Sequence, residues 1–542
     1  MTSDPQGSEP DLAGTGEIDS AFSRPTWLTL AGLMLGCAVE YLFYGRPLGV
    51  SLAVWAFLCL AAAFGLAANE GIRPSWSAYV LGASALVFSV LPVFRAEPLT
   101  GLLDVAATIG LLILMVRTFR LGGLLDFGWV DLALSAVAVP LETLVRPWSV
   151  LGQAQARWLG GEGRRSTLVA IVRGLLLTLP VVIVFAILLA SADLIYAEDL
   201  RQALSWLDID RLFDVLGRLV VVLISGVILL GALVTALRRP SDRKLIGLER
   251  PIVAPFLGFT EAIVLLSGVI LLFGSFVGVQ FRYFFGGSAN IVINGYTYAE
   301  YARRGFAELV LLACLTLGLI MFLGAWTHRK SSGKRRVFNG LSAVLVLFTG
   351  VILASAFERL LLYEQAYGFT RLRTYTHVAI IWIGLMFAAF LVLLVLGDLR
   401  RFGVACLVAA AGFALTLNIL NVDVFILRQN IAYKGEIGQL DGVYLAQLSS
   451  DAVPELANLA RSLPSQERAE ILPGLACDLA LLQARQSSTG WPSYTVSRQR
   501  ALASLQAIES LLSPYQVEPI GGVPAYRVEV GDRVQVCSSW PF

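Results

Sequence analysis

The sequence has little charge. Only 15% of its 542 residues are charged, whereas an ordinary soluble chain carries about 25%. This shortage excludes a cytosolic enzyme. Basic and acidic residues nearly balance at a net charge of +2, so no overall charge excess points to nucleic acid as a partner. Apolar residues are abundant instead, at 57% with a mean hydropathy of +0.73, which indicates lipid as the main solvent.

Histidine is almost absent, and common catalytic motifs are missing. His328 and His377 are the only histidines, and neither has a Cys, His or carboxylate at metal-ligand spacing, so we expect no metal site. The sequence has no phosphate-binding Gly-Lys-Ser/Thr loop and no Gly-x-Ser-x-Gly nucleophile motif. The first loop predicted outside, 45–47, lacks the carboxylate usual in multi-pass glycosyltransferases. The sequence therefore predicts no cofactor and argues against an enzyme.

Residues 1–23 lack an apolar face. They are polar and acidic and contain Pro and Gly, so they bury too little surface to offset the entropy lost on ordering. We expect a disordered acidic tail. The tail also lacks the basic start and short apolar run of a cleavable signal peptide, so we expect the first apolar run to remain as an anchor.

Apolar runs recur along residues 24–423, each near the roughly 20 residues that a helix needs to cross a bilayer. The sequence thus predicts an all-α polytopic membrane protein with about eleven transmembrane helices. The predicted spans are 27–44, 48–68, 77–94, 99–119, 168–190, 213–237, 252–279, 306–327, 337–361, 376–396 and 402–421. A further segment, 130–145, carries Asp131, Pro140 and Glu142, so we predict a helix in the membrane interface, with a twelfth span as the alternative.

Lys and Arg are concentrated in one set of alternate loops, which the positive-inside rule assigns to the cytoplasm. We therefore expect a multi-pass protein of a bacterial inner membrane with a cytoplasmic N-terminus and an extracytoplasmic C-terminal region. If 130–145 spans the membrane, only the first four helices reverse.

Beyond Asp423 the hydropathy falls, and amphipathic segments predict a small helical domain over 424–542. Its end alternates apolar and polar residues around Gly531–Asp532, which predicts a β-hairpin. Cys477 and Cys537 are the only cysteines outside the apolar runs. An oxidising compartment would let them pair. Two unpaired thiols are the alternative.

Several ionisable residues lie within or at the ends of the predicted spans, where charge is costly and often functional. They are Glu40, Asp104, Asp214, Arg218, Glu261, Glu308 and Glu358. Asp214 and Arg218 have the i,i+4 spacing of a local ion pair. Glu261 and Glu308 lie further inside, so we predict that they are the better candidates for a buried polar site. Glu40 and Asp104 are candidate intramembrane carboxylates nearer the span ends.

A dense polar segment covers residues 281–306. Thr297 and Glu300 have the spacing of a helix capping box, and Glu300, Arg304 and Glu308 follow each other at i,i+4. Arg groups match phosphate and carboxylate geometry, so an external anion or lipid head-group site is one interpretation, and snorkelling to lipid phosphates is the other. The candidate site comprises Arg282, Glu300, Arg303, Arg304, Glu308, Glu358, Arg359, Arg371 and Arg373.

Three ordered motifs resemble a bacterial membrane family. They are Tyr296–Phe306 with Glu308; Tyr367–Arg373 with Tyr375; and Asn421–Asp423 followed by Arg428, Asn430, Leu440–Asp441, Tyr444–Leu445 and Ser450–Pro454. The family is catalogued as domain of unknown function 4173, with the related group 4153, and the similarity covers most of the chain except the acidic tail. The resemblance implies a multi-pass membrane protein and no established activity or site residues.

Three functions remain open from the sequence. The first is a non-enzymatic envelope sensor or scaffold that binds an envelope protein or an anionic head group through its external face, besides its contact with the lipid bilayer. The second is a secondary transporter that uses the intramembrane carboxylates, although the usual internal repeats are not evident. The third is a membrane enzyme acting on lipid-linked substrates, with Glu300, Glu308 and Glu358 as acid and base.

Overall fold

The structure, a computed structural model, describes most of the chain as helix. It describes residues 25–120, 122–148, 150–151, 209–238, 256–286, 306–328, 331–433, 440–488, 490–520, 525–530 and 533–538, with isolated positions between 152 and 208. The predicted tail 1–23 therefore lies outside the described residues, and so does almost all of the predicted span 168–190.

Seventeen α-helices and three strands lie in the described residues. The helices are Pro25–Phe43 (α1), Val50–Asn69 (α2), Trp76–Phe94 (α3), Pro98–Thr118 (α4), Trp129–Val145 (α5), Ile209–Leu237 (α6), Phe259–Gly286 (α7), Phe306–Trp326 (α8), Ser332–Tyr367 (α9), Arg371–Leu396 (α10), Phe402–Leu420 (α11), Val422–Ala432 (α12), Gly442–Leu445 (α13), Val453–Ser462 (α14), Ser465–Ser488 (α15), Val496–Gln506 (α16) and Glu509–Leu512 (α17). The strands are Val517–Pro519 (β1), Ala525–Val530 (β2) and Arg533–Ser538 (β3).

Ten of the described helices are long and apolar enough to cross a membrane. They are α1 to α4 and α6 to α11, the last extended back to Leu399. These ten coincide with ten of the predicted spans, so the polytopic helical fold is confirmed. Segment 130–145 forms helix α5, as predicted, but α5 is not among the ten. Its position in the membrane interface stays a prediction.

The chain divides into two units, and unit 1 comprises Met1–Cys37, Ala61–Arg73 and Glu142–Leu237. Within it, two glycines one turn apart on α1 pack against α6. A Cβ atom on Gly36 would overlap the carbonyl oxygen of Val222, and one on Gly32 would lie 2.7 Å from Cβ of Leu230. Gly-x-x-x-Gly pairs let membrane helices approach this closely, because association in lipid depends on van der Waals packing.

We expect Gly36→Leu to separate α1 from α6. The leucine side chain would have to displace backbone atoms of Val222 and Gly226, and overpacking of this kind costs about 1–3 kcal/mol or more. The measurement is thermal unfolding of the full chain in detergent. Gly110→Leu on α4 is the control, because a Cβ atom there meets nothing within 4 Å among the described residues. Equal unfolding temperatures for the two variants would contradict the prediction.

Unit 2 comprises Ala38–Leu60, Pro74–Leu141 and Arg238–Phe542. One of its apolar cores lies among α7 to α11 and includes Phe390 and Phe402, whose rings meet edge to face at 5.2 Å. A second core starts at Val378 and Leu417 in membrane-spanning helices and continues through α12 to α17. The apolar core therefore passes from the membrane helices into the C-terminal region without interruption.

The connection between α1 and α2 also meets the C-terminal region within unit 2. Gly49 lies against the backbone of Ser493 and Tyr494, where a Cβ atom would come within 2.6 Å. The Val50 N–H donates to the carbonyl of Tyr494 at 3.1 Å, and Arg498 Nη1 donates to the carbonyl of Leu48 at 3.3 Å. Only glycine permits this backbone approach.

The C-terminal strands form an antiparallel sheet in the order β1-β2-β3. Val530 pairs with Arg533, so β2 and β3 form the hairpin that the alternating pattern predicted. Residues 531–532 between them lie outside the described part of the chain. The sequence did not predict β1, which pairs Val517 with Val528 and contains only three residues.

Candidate functional site

The structure brings polar side chains together within unit 2, where α4, α10 and α11 adjoin the C-terminal region. We call this group the junction cluster. It comprises Arg95, Glu97, Asp104, Arg371, Tyr375, Asn418, Asp423, Tyr444 and Asp451. Of these residues, only Arg371 and Asp104 are site candidates predicted from the sequence.

The centre of the junction cluster is a two-point ion pair. Arg371, at the start of α10, donates from Nε and Nη2 to the two carboxylate oxygens of Asp423, each at 2.7 Å. Asp423 lies in the first turn of α12, is fully buried, and also accepts from the Ser449 N–H at 2.6 Å. Paired charge-assisted bonds of this geometry are strong and directional. They attach segment 441–452 to the ends of the membrane helices.

Helix α12 can begin directly after α11 because of one residue. Asn421 adopts a left-handed conformation with φ of 52°, which ends α11 and redirects the chain into α12. Asparagine is one of the few residues that tolerate this region. The turn places Asp423 opposite Arg371, and the Tyr444 hydroxyl accepts from the Arg371 backbone N–H at 3.1 Å. Burial raises the pKa of that Tyr444 hydroxyl.

Glu97 links α4 to α10. Its carboxylate caps α4 by accepting from the backbone N–H groups of Leu99 and Thr100, and Pro98 occupies the first helical position. A carboxylate is favourable there because the N-terminus of a helix carries partial positive charge. The same buried carboxylate accepts a short hydrogen bond from the Tyr375 hydroxyl.

The connection between α3 and α4 meets both α11 and the C-terminal region. Arg95 Nε donates to the backbone carbonyl of Asn418 at 2.8 Å, and the Ala96 N–H donates to Asp451 Oδ2 at 2.9 Å. Burial raises the pKa of the Asp451 carboxyl, and the Ala96 hydrogen bond partly opposes that shift. Asp104 on α4 accepts from Asn418 Nδ2 at 2.9 Å.

A second buried pair lies between α9 and α10. His377 Nδ1 is 3.1 Å from the carboxylate of Glu364, which is only 1% exposed, and the Phe357 ring meets the imidazole edge to face at 4.6 Å. From the sequence, His377 was considered only as a metal ligand, and it has no other ligand at a suitable spacing. Sequence reasoning missed Glu364, because the two residues lie on different helices and only packing brings them together.

The predicted anion site is only partly described. Arg282, Glu300, Arg303 and Arg304 have side chains outside the described residues, so their grouping stays a prediction, as does the capping box at Thr297. Glu358 is exposed and Arg359 is half-buried. Arg373 bonds within the protein: Nη1 donates to the carbonyls of Tyr367 and Gly368, and its guanidinium lies 4.0 Å above the Tyr363 ring.

Two carboxylates lie elsewhere than predicted. The prediction that Glu261 and Glu308 lie further inside their spans and are buried is wrong, because each lies in the first turn of its described helix and is exposed. Glu261 accepts from the Gly258 N–H at 2.9 Å. For Glu261 the cause is the position of the helix start, because α7 begins at Phe259 whereas the apolar run begins at 252.

The remaining candidate residues differ in how deeply they are buried. Asp214 and Arg218 form the expected i,i+4 ion pair at 2.9 Å, with both side chains about half exposed. Glu40 is half-buried near the end of α1. Asp104, by contrast, is fully buried at 0% exposure. The structure thus brings together Asp104 and Arg371 of the predicted residues and leaves Glu40, Glu261 and Glu308 apart from them.

The described residues show no metal centre. Within the described ranges, no group of three or more His, Cys, Asp or Glu side chains could hold a metal ion. Among the cysteines, Cys477 on α15 is disulfide-bonded. Cys37, Cys59, Cys314 and Cys406 are free thiols.

Asp478, next to Cys477, predicts a pH dependence. Burial raises the pKa of its carboxyl from 3.8 to about 7, so the folded state binds this proton more tightly than the unfolded chain. The contribution of Asp478 to stability should therefore be full below about pH 4 and be lost as the pH rises through about 7. We expect a change of about 2 kcal/mol, because each pKa unit corresponds to about 1.4 kcal/mol and partial exposure screens the charge.

The measurement is urea unfolding of the full chain between pH 4 and pH 8. Asp478→Asn should flatten the pH profile and raise stability at pH 8. Glu470→Gln, an exposed position on the same helix, should leave the profile as it is. An unchanged profile in Asp478→Asn would show that another group causes the dependence.

Comparison with known proteins identifies a family but no activity. Residues 82–459 match the family described as domain of unknown function DUF4153. No curated protein and no solved structure matches the chain. The matched range contains every residue of the junction cluster and ends within α14, before α15 and the sheet. The chain is a multi-pass membrane protein and belongs to the DUF4153 family.

Proposed function

We propose that the protein is a non-enzymatic sensor or scaffold of a bacterial inner membrane, which holds residues 424–542 outside the cytoplasm for an envelope partner. The observation that carries the proposal is the buried bond set of Arg371, Asp423 and Ser449. It joins the start of α10 to the first turn of α12 and to Ser449 of the C-terminal region. Such attachment suits a protein that presents a binding surface outside the membrane or transmits a signal from it.

Two further observations support the orientation. Cys477 is disulfide-bonded, and disulfides persist in oxidising compartments outside the cytoplasm. The Trp491 indole N–H donates to the Tyr41 hydroxyl at 3.1 Å, at the end of α1. Trp and Tyr favour the membrane–water interface, so this pair fits a C-terminal region lying close to the bilayer surface.

The orientation is tested with reporters fused to the full chain. Alkaline phosphatase is active only outside the cytoplasm, so a fusion after Phe542 should be active. A matched fusion after Arg335, in a loop predicted to be cytoplasmic, should be inactive. The reverse activities would contradict the extracytoplasmic assignment.

Partner binding is tested by in-cell photo-crosslinking from exposed positions of the C-terminal region. We choose Val443, Arg500 and Glu509, which are exposed. Neighbouring positions should capture the same envelope component. Arg371→Met should reduce that capture because it breaks the attachment, whereas Arg428→Met should leave it intact because the Arg428–Glu455 pair is exposed. Failure to capture any envelope component from all three positions would refute the proposal.

Secondary transport is the second candidate, and buried intramembrane groups favour it. Asp104, Glu364 and His377 lie in α4, α9 and α10, which are long and apolar enough to cross a membrane, and the two carboxylates are fully or nearly fully buried. Such groups can carry protons across a membrane. Proton flux into vesicles containing the full chain should then fall in Glu364→Gln. Equal flux in vesicles with and without the protein would remove this candidate.

A further inference from the structure

The contact between Asp104 and Asn418 is a buried amide–carboxyl pair. Asn418 Nδ2 donates to Asp104 Oδ1 at 2.9 Å and to the backbone carbonyl of Ala414 at 3.0 Å, so both amide hydrogens are used. Asp104 is 0% exposed and Asn418 is 2% exposed. Water therefore does not reach these side chains from the surface of the described structure.

One oxygen on each side chain has no hydrogen-bond donor. Asp104 Oδ2 and Asn418 Oδ1 are both buried, and neither has a partner within the part of the chain that the structure describes. Buried polar atoms are almost always satisfied, so two orphan acceptors on one bonded pair need an explanation. A single proton on Asp104 Oδ2 supplies it, because the new hydroxyl is a donor and Asn418 Oδ1 is the acceptor it requires.

The two charged neighbours of Asp104 act in opposite directions, since the Arg95 charge favours an ionised Asp104 and the Glu97 charge favours a neutral one. From the α3–α4 connection, Arg95 donates its Nε–H to the backbone carbonyl of Asn418 rather than to the carboxylate. Glu97, at the start of α4, carries the same sign as an ionised Asp104 and is itself bonded to Tyr375 of α10. From α11, Asn418 offers only a neutral amide. An ionised Asp104 would thus be a buried charge with no directly bonded cation among the described residues.

A metal ion does not fit the same place. Hard cations take about six or more oxygen ligands, and the described residues show no cluster of three acidic or histidine side chains. We infer that Asp104 holds a proton and forms a reciprocal two-bond pair with Asn418, which makes the α4–α11 contact a proton-binding site. The ligand is the proton itself, bound to Asp104 Oδ2 and shared by hydrogen bonding with Asn418 Oδ1.

The site has a route to the C-terminal region. The backbone carbonyl of Asn418 accepts a hydrogen bond from Arg95, and the N–H of the next residue, Ala96, donates to Asp451 of the C-terminal region. Glu97 is the residue after Ala96. Loss of the proton would put a negative charge beside the side chain of Asn418, the residue whose backbone carbonyl accepts from Arg95. The proposal does not depend on the proposed function, because proton binding can be measured without any partner.

Infrared spectroscopy of the full chain in lipid vesicles tests the inference. A protonated carboxyl has a distinct carbonyl band, which shifts in heavy water and with isotope-labelled aspartate. Asp478 also holds its proton near pH 7, so the measurement is made in the Asp478→Asn background, where we expect this band at neutral pH and its loss when Asp104→Asn is added. Asp398→Asn is the control, because Asp398 forms an exposed ion pair with Arg401 and should contribute no such band. An undiminished band in Asp104→Asn would overturn the inference.

A second variant keeps the inference testable if Asp104→Asn fails to fold. Asn418→Ser removes the Oδ1 acceptor but keeps Asp104, so the band should persist at a shifted frequency. An unshifted band would show that Asn418 does not accept from the carboxyl and would overturn the pair. Displacement of the wild-type band by sodium ions at constant pH would identify a cation site in place of a proton site.

Discussion

Replacing Arg371 with methionine should lower the free energy of unfolding by about 3–5 kcal/mol, because it leaves a buried carboxylate without its cation. Asp423 is fully buried, and after the substitution the Ser449 N–H would be its one donor among the bonds observed here. Methionine keeps much of the apolar bulk of arginine, so the loss reports the charge rather than a cavity. The measurement is urea unfolding of the full chain in detergent, followed by circular dichroism.

Two variants separate this effect from a general disturbance. Asp423→Asn combined with Arg371→Met removes the unpaired charge and keeps an acceptor for Ser449, so the double variant should recover much of the lost stability. Arg428→Met breaks an exposed pair with Glu455 and should cause no measurable change. A double variant as unstable as Arg371→Met alone would show that the ion pair is not the cause.

Removing the disulfide at Cys477 is expected to cost about 2–5 kcal/mol. The chain has six cysteines and four of them are free thiols, so we propose Cys537 as the partner, with its backbone on β3 beside Tyr526. On the chain-entropy account, closing the loop between the two positions contributes about 4 kcal/mol by restricting the unfolded chain. Thermal unfolding of the full chain with and without a reducing agent measures this contribution.

The pairing itself is tested by non-additivity. Cys477→Ser and Cys537→Ser should destabilise equally, and the double variant should lose no more than either single variant, because all three remove one bond. Cys406→Ser is the control, since Cys406 is a free thiol in α11. Losses that add in the double variant, or unchanged gel mobility in Cys537→Ser without reductant, would exclude the bond.

Local patterns predicted the elements well because their causes are local. Runs of about 20 apolar residues marked ten of the membrane helices, since helix length is fixed by bilayer thickness. The Asp214–Arg218 pair followed from helical spacing alone. The alternation ahead of Gly531 located the hairpin. In each case the interacting residues lie within a few positions of one another.

The junction cluster could not be predicted in the same way. Tyr375 and Glu97 are 278 positions apart, and Arg371 and Asp423 are separated by 52. No periodicity reports such contacts, because helix packing determines them. A weak signal existed at Glu97–Pro98, where an acidic residue before proline is typical of a helix start. That signal predicts the cap but not the second bond from Tyr375.

The close approach of Gly49 to Ser493 and Tyr494 also bears on how the chain is made. The connection between α1 and α2 is synthesised some 450 positions before the residues that contact it. Contacts between such distant segments form late, because the intervening chain must first be ordered. The connection between α1 and α2 therefore remains without this support during most of synthesis, and quality-control proteases have that interval in which to act. A chain shortened before residue 490 would stay in that vulnerable state permanently.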